Sequence, residues 1–171
     1  LVKFTVSNVL ASVVPEPAHT GEKTYDGKGF YSGDPDSRWA GDTMPEWLVY
    51  DLGAVRILKS TKLSFYQWDA GRTYNYTIQA STDSVNWIAV KTNVVSLPQE
   101  WTTESVNSTN ARYIKIIYIS NNQNTWAGLW EAEFWGSNIS GDVTHPQVVS
   151  AALINSTKLV VNFSEALNST S

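Results

Sequence analysis

A recurrent spacing constrains this chain more than any single motif. From Trp47 onward, short apolar runs return about every ten residues, and no longer segment carries a convincing helical period. Trp47–Leu52 is apolar and stops at Gly53. Lys62–Tyr66 sets Leu63 and Phe65 against Ser64 and Tyr66. Tyr76-Thr77-Ile78-Gln79-Ala80 alternates cleanly, which places Tyr76, Ile78 and Ala80 on one face of a strand. Trp87–Val90, Trp101–Ser105, Tyr113–Ile119 and Ala132–Trp135 complete the series. Short strands with regular turn signals predict a sandwich or a barrel. Before Trp47 there is little pattern beyond Phe4–Leu10, and the stretch from Pro15 to Pro45 reads as long loops, which in a compact domain usually carry function.

Composition supports an all-β class. Charged residues are 16% of the chain, against about 25% in a typical domain. Asn, Ser and Thr together number 48 of 171 residues, beside eight Trp, eight Tyr and five Phe. A helical bundle needs Leu, Ala, Glu and Lys instead, and a disordered chain cannot carry so many tryptophans in water. The surface is therefore polar but weakly charged. A net charge of −4 argues against nucleic acid, which needs a basic face, and against anionic membranes. Zero cysteines exclude disulfides and thiolate chemistry, and the absence of a long apolar run excludes insertion of a membrane helix. The chain opens at Leu1 without a signal-peptide pattern. It reads as a segment of a longer, processed protein, and its Asn- and Thr-rich surface suits a secreted or cell-surface bacterial one.

Two pieces are visible along the sequence. Residues 1–136 hold every Trp. Residues 137–146 are small, polar and closed by Pro146, as a linker would be. In residues 147–171, Gln147–Leu153 and Lys158–Phe163 flank a polar turn and predict a hairpin. Two strands cannot bury a core alone, so this piece reads as the truncated start of a second β-domain.

Three loops hold the chemistry. The first, Tyr25–Trp39, carries Asp26, Asp34 and Asp36 among glycines and a proline. It could present oxygens to calcium, or its Asp and Gly could simply make turns. The second, Gln67–Asn75, places Trp68, Asp69 and Arg72 within five residues. The third, Ser120–Gly128, offers Asn121, Asn122, Gln123, Asn124 and Trp126. Sugars need an aromatic face for their C–H groups and planar polar groups for their hydroxyls, and an acidic sugar also suits a guanidinium. Tyr31 and His19 are further candidates. Trp39, Trp47, Trp87, Trp101, Trp130 and Trp135 are expected to pack in the core or along strands, whereas Trp68 and Trp126 sit in polar loops and are the expected stacking residues.

Asp26-Gly27, Ser37-Arg38-Trp39 and Trp47–Gly53, followed by Tyr76–Trp87, Ala111–Ile116 and Glu131–Gly136, resemble in order the discoidin, or coagulation-factor type C, domain. Within that superfamily the chain is most similar to bacterial family 32 carbohydrate-binding modules appended to alginate lyases and other polysaccharide-degrading enzymes. The resemblance implies a jelly-roll-like antiparallel β-sandwich of the galactose-binding type, with a structural calcium. It carries the calcium ligands onto Asp26, Ser37 and Glu131, with Asp34 or Asp36 and carbonyls such as that of Tyr25 in addition. Lys28 stands where a side-chain ligand is common. It also makes Arg72 the leading ligand-binding residue and places a further contributor around Arg38 and Asp42. The tail beyond Pro146 resembles the opening of a bacterial immunoglobulin-like repeat.

The expected function is therefore non-catalytic binding of a polysaccharide or oligosaccharide, with an acidic one such as alginate as the leading guess. Covalently linked catalytic or immunoglobulin-like domains are the expected partners. A protein- or lipid-binding adhesion module is the first alternative. A small polysaccharide-cleaving enzyme is the second, because Glu131 and Glu133 share one face of a strand and a carboxylate pair can cleave glycosides. Glu131 already has the calcium role by resemblance, and no second pair converges from distant loops.

Overall fold

The computed structural model describes residues 1–139 and 148–164. The chain separates into two compact units, Leu1–Ile139 and Ser140–Ser171. In the first, eight strands pair antiparallel: β1 (Val2–Lys3), β2 (Asn8–Ala11), β3 (Trp39–Gly41), β4 (Glu46–Phe65), β5 (Tyr74–Ser81), β6 (Ile88–Val95), β7 (Thr102–Asn121) and β8 (Ala127–Asn138). No α-helix occurs among the described residues; Gly21–Tyr25, Phe30–Ser32 and Trp68–Ala70 form single 3₁₀ turns.

Two long strands organise this β-sandwich of the galactose-binding type. β4 and β7 pair from Glu46–Tyr118 to Leu63–Thr102, and their register shifts between Asp51 and Arg56. On one side of that shift β4 takes β2 as its second neighbour, and on the other it takes β8. One continuous pair thus serves both layers. The two separate runs expected at Trp47–Leu52 and Lys62–Tyr66 are ends of one strand, as are those at Trp101–Ser105 and Tyr113–Ile119. Gly53 interrupts the apolar pattern without reversing the chain. Its φ is +74°, and a Cβ there would stand 2.5 Å from the Ser7 hydroxyl.

The alternation read from sequence sets the core. Tyr74, Tyr76, Ile78 and Ala80 of β5 are fully buried, as are Ile114, Ile116 and Tyr118 of β7. They meet Leu48, Tyr50, Leu58, Leu63 and Phe65 of β4 and Phe134 of β8. Burial of each such large side chain contributes about 1.5–3 kcal/mol. Trp39 joins this core and donates its indole N–H to the Val13 carbonyl at 3.0 Å, and Trp130 is also buried. The other four tryptophans expected to pack lie half-buried on outer faces. The Lys115 ammonium stands 4.7 Å over Trp47 and 5.8 Å from Trp87, Lys62 lies 4.6 Å over Trp101, and Trp135 donates to Glu133.

The expected Phe4–Leu10 run is a strand only over Asn8–Ala11, while Phe4 is buried just after β1. β8 runs on through Ser137 and Asn138 by pairing with Ile57 and Arg56, so the strand takes two residues from the stretch read as linker. Residues 140–146 of that stretch, and Gln147, lie outside the described residues. The second unit shows the hairpin, β9 (Val148–Asn155) with β10 (Lys158–Phe163). Its turn is fixed by the Asn155 side chain, which accepts from the Thr157 N–H and hydroxyl at 3.0 Å each. Leu153, Ile154 and Leu159 of the hairpin are exposed.

Candidate ligand-binding site

Five strand ends meet at one end of the sandwich. Arg38 precedes β3, Tyr66 follows β4, Arg72 precedes β5, and Asn124 and Trp126 lie between β7 and β8. The β3–β8 pairing sets Gly41 opposite Ala127, and the Tyr66 N–H donates to the Gly128 carbonyl at 3.1 Å. These connections gather Arg38, Tyr66, Arg72, Asn124 and Trp126 around a cleft of about 240 Å³, with Glu16 at its edge and the small Ala40 and Ala127 completing the lining.

Tyr66 is the centre of this cleft. The Arg38 guanidinium lies 4.2 Å from its ring centroid and that of Arg72 lies 5.6 Å away. Two cations share one aromatic ring, a contact worth about 0.5–1 kcal/mol at an exposed site and more when desolvated. The two differ in anchorage. Arg72 is 5% exposed, donates from Nε to the Gln123 amide at 3.0 Å and lies 3.4 Å from the Tyr74 hydroxyl. Burial pushes the Tyr74 phenol up to about 12, although Arg72 pulls the other way. The Arg38 side chain makes no hydrogen bond among the described residues, and its Nε is buried.

The amide-rich loop is clasped to the arginine loop. The Asn122 side chain accepts from the Thr73 N–H and donates to the Gly71 carbonyl, while Gln123 holds Arg72. Asn121 folds inward: its Oδ1 accepts from the Gln123 and Asn124 N–H groups, and its Nδ2 donates to the Trp126 carbonyl at 2.7 Å. It therefore shapes the loop, and Asn124 faces the cleft.

Four of the seven expected ligand residues converge here: Arg38, Arg72, Asn124 and Trp126. Asp42 contributes its carbonyl to the Thr125 hydroxyl and does not line the cleft. Trp68 also lies elsewhere, against Phe30 with ring centroids 5.1 Å apart and near Tyr31 at 6.5 Å. Its loop looked polar in sequence, but its aromatic partners come from the distant Asp-Gly loop. Sequence reasoning missed Glu16 and Tyr66. The outward register of Tyr66 opposite Phe65 was the available signal. Gly128 was missed too. A Cβ there would stand 2.7 Å from that of Tyr66, so only glycine lets Tyr66 lie across β8.

The expected calcium residues gather in part. The buried Ser37 hydroxyl lies 2.8 and 2.9 Å from the two Asp26 carboxylate oxygens. The next residue, Gly27, donates its N–H to Glu131 Oε1. Glu131 Oε2 is buried without a partner, and burial, with Asp26 nearby, pushes this carboxyl up to about 7. A desolvated, half-satisfied carboxylate beside a second carboxylate and a hydroxyl fits a hard cation in donor chemistry. Asp34 and Asp36 are engaged elsewhere, with Lys28 at 3.6 Å and with His19 at 3.1 Å. No group of three or more His, Cys, Asp or Glu side chains is placed to hold a metal ion by itself among the described residues. A cation here would thus have to draw on carbonyls such as that of Tyr25.

A two-layer antiparallel sandwich with a cleft built from strand-end loops defines a galactose-binding-like domain. The chain belongs to the F5/8 type C domain family, whose model matches residues 9–132. Among solved structures it is similar to the CBM32 of AlyQ in complex with 4,5-unsaturated mannuronic acid, at 24% identity and a TM-score of 0.62 over 80% of this chain and 100% of that one. A pectin binding carbohydrate binding module is similar at 18% identity and a TM-score of 0.62, over 80% of this chain and 94% of the other. Chitosan-binding module 2 of the chitosanase/glucanase from Paenibacillus sp. IK-5, in complex with chitotriose, is similar at 25% identity and a TM-score of 0.61, over 75% of this chain and 95% of that one. Comparison with curated protein sequences finds no match. No helix among the described residues is long and apolar enough to cross a membrane.

Proposed function

We propose that the chain is a non-catalytic carbohydrate-binding module whose arginine cleft takes a carboxylate-bearing sugar unit of an acidic polysaccharide. The observation that carries this reading is the pair of guanidinium groups, Arg38 and Arg72, over the one Tyr66 ring. An anion between them would satisfy the bare Arg38. Trp126 offers a face for sugar C–H groups, and Asn124 offers an amide for hydroxyls. Two structurally similar modules support the acidic class, since one is a complex with 4,5-unsaturated mannuronic acid and the other is pectin binding.

The non-catalytic reading rests on where the carboxylates lie. Glu16 is the one carboxylate lining the arginine cleft, and it is bonded to His19. Glu131 faces Gly27, and Glu133 is held by Lys3, Lys62 and Trp135. Neither of these lines the arginine cleft. Calcium held by Asp26, Ser37 and Glu131 would supply charge neutralisation there and pin the Asp-Gly loop to β8; its role is structural. The module would serve a secreted or cell-surface bacterial protein and be linked to catalytic or immunoglobulin-like domains. A shallow single site binds weakly, and neighbouring modules would add avidity.

A glycan microarray with and without calcium tests the reading. Retention on oligouronates that Arg38→Ala reduces, with any retention on neutral glycans of equal length unaffected by that change, is the expected result. Failure of Arg38→Ala to reduce that retention would remove the cleft from the account, and product release from any uronic-acid polysaccharide would overturn the non-catalytic assignment.

A further inference from the structure

A second cleft in the first unit, of about 550 Å³, shares no lining residue with the arginine cleft. Its walls come from Lys3–Val6, the Asp-Gly loop, Glu100-Trp101 and Glu131–Glu133. That volume falls within the range of about 300–1,000 Å³ that small-molecule sites occupy.

Tyr31 stands in its lining with 73% of its surface exposed. The ring is held at the edge rather than buried. Phe30 meets it at 5.1 Å and Trp68 at 6.5 Å, and Phe30 in turn packs edge-on against Trp68 at 5.1 Å and Trp130 at 5.9 Å. Gly33, at φ +75°, closes the 3₁₀ turn that carries it. Three aromatic side chains therefore brace a fourth that stays in water. A braced, exposed ring keeps its face available at little entropic cost on binding. This arrangement also gives Trp68 a role that its loop composition did not suggest.

The charges of the cleft select the occupant. Lys3 is the lysine that lines the cleft, and its ammonium is already engaged by Glu133 at 3.3 Å, which Lys62 also reaches at 3.5 Å from outside the lining. Among the described residues Glu100 has no ion pair, and no arginine lines the cleft. Among the lining residues Glu100, Glu131 and Glu133 stand against Lys3, an excess of at most two negative charges, which one divalent cation would cancel. With or without that cation there is no surplus positive charge for a uronate. We infer that this cleft is a second saccharide site, for an uncharged sugar chain. Tyr31 is the stacking platform, and the Glu100 carboxylate accepts hydrogen bonds from sugar hydroxyls. The inference does not depend on what the arginine cleft binds.

The test is an NMR titration of the full chain, in calcium-containing buffer, with a panel of neutral hexasaccharides of glucan, xylan, mannan and galactan type and with an oligouronate. At least one neutral member is expected to shift the Trp101 indole and the Gly27 and Gly29 amides. Tyr31→Ala should weaken that binding by about tenfold, and Glu100→Gln should weaken it as well. Both variants alter exposed or half-exposed groups, and Tyr31→Ala should leave oligouronate binding unchanged, so loss of this site is distinguishable from loss of the arginine cleft. Absence of these shifts with every neutral member would overturn the site. Equal shifts with the oligouronate would overturn the assigned ligand class.

Discussion

Arg38→Ala should separate recognition from folding more cleanly than any other change in the arginine cleft. The Arg38 side chain makes no hydrogen bond among the described residues, and its one clear contact is with Tyr66 at 4.2 Å. Removing that contact should cost about 0.5–1 kcal/mol of stability, a fall in Tm of roughly 1–4 °C. Binding should suffer more. A charge-assisted hydrogen bond to a carboxylate is worth about 1.5–3 kcal/mol, so Kd for an oligouronate should rise by roughly 10- to 150-fold. Arg72→Ala is the instructive contrast. It removes a 5% exposed side chain, leaves Gln123 Oε1 without its donor and takes a neighbour from the Tyr74 hydroxyl, so stability should fall by about 2–3 kcal/mol together with affinity. Isothermal titration with an oligouronate at two salt concentrations, beside thermal melts, reads both quantities. Arg38→Lys keeps the charge but loses the planar fork, and should recover only part of the affinity. An unchanged Kd in Arg38→Ala, with the melt barely moved, would refute the reasoning.

Saturating calcium should raise Tm reversibly, by the equivalent of about 2.7 kcal/mol at one hundred times its Kd; a melt indifferent to both chelator and calcium would remove the cation from Asp26, Ser37 and Glu131. Asp51 accepts two hydrogen bonds from Arg112, at 3.0 and 3.1 Å, which hold its carboxyl below the usual range. Its stabilisation is therefore complete at neutral pH and lost as pH falls through that lowered value, so Asp51→Asn should be less stable than the parent at pH 7 and converge with it in strong acid, as denaturant titrations would show. Gly136→Ala should impair folding outright, since a Cβ there would stand 1.9 Å from the Ile57 carbonyl; soluble expression with an unaltered melt would contradict the close β4–β8 approach.

Strands were legible wherever a side chain's burial follows local alternation. Tyr76, Ile78 and Ala80 are inward as the sequence implies, because β5 is flanked on both edges and has one dry face. The union of two apolar runs into β4 was not legible. Gly53 looks the same in sequence whether it turns a chain or bends a strand, and the difference is made by the paired shift in β7. The site shows the same division. Asn124 and Trp126 could be named from the composition of their loop, and Arg38 and Arg72 with the help of the family resemblance. Tyr66 could not, since its place over β8 depends on the absence of a side chain at Gly128, more than sixty residues away. Trp68 misled for the converse reason, as nothing local announces Phe30 and Tyr31 as its neighbours.

Three consecutive residues link the two halves of the proposed function. Asp36 holds His19 at 3.1 Å, and His19 in turn holds Glu16 at the edge of the arginine cleft. Ser37 is bonded to Asp26 in the loop that would carry calcium. Arg38 lies over Tyr66. Because adjacent Cα atoms are only 3.8 Å apart, Ser37 cannot shift freely while Asp36 and Arg38 stay in place. A cation drawing Asp26 and Ser37 together should therefore also order Arg38 for its anion. Coupling of this kind is commonly worth about 1–3 kcal/mol and must be reciprocal. Calcium should tighten oligouronate binding by roughly tenfold, and the oligouronate should tighten calcium by the same factor. Measuring all four edges of that cycle well below the melting temperature separates coupling from simple unfolding. Equal oligouronate affinity for the folded calcium-bound and calcium-free forms would show that residues 36–38 hold two independent sites.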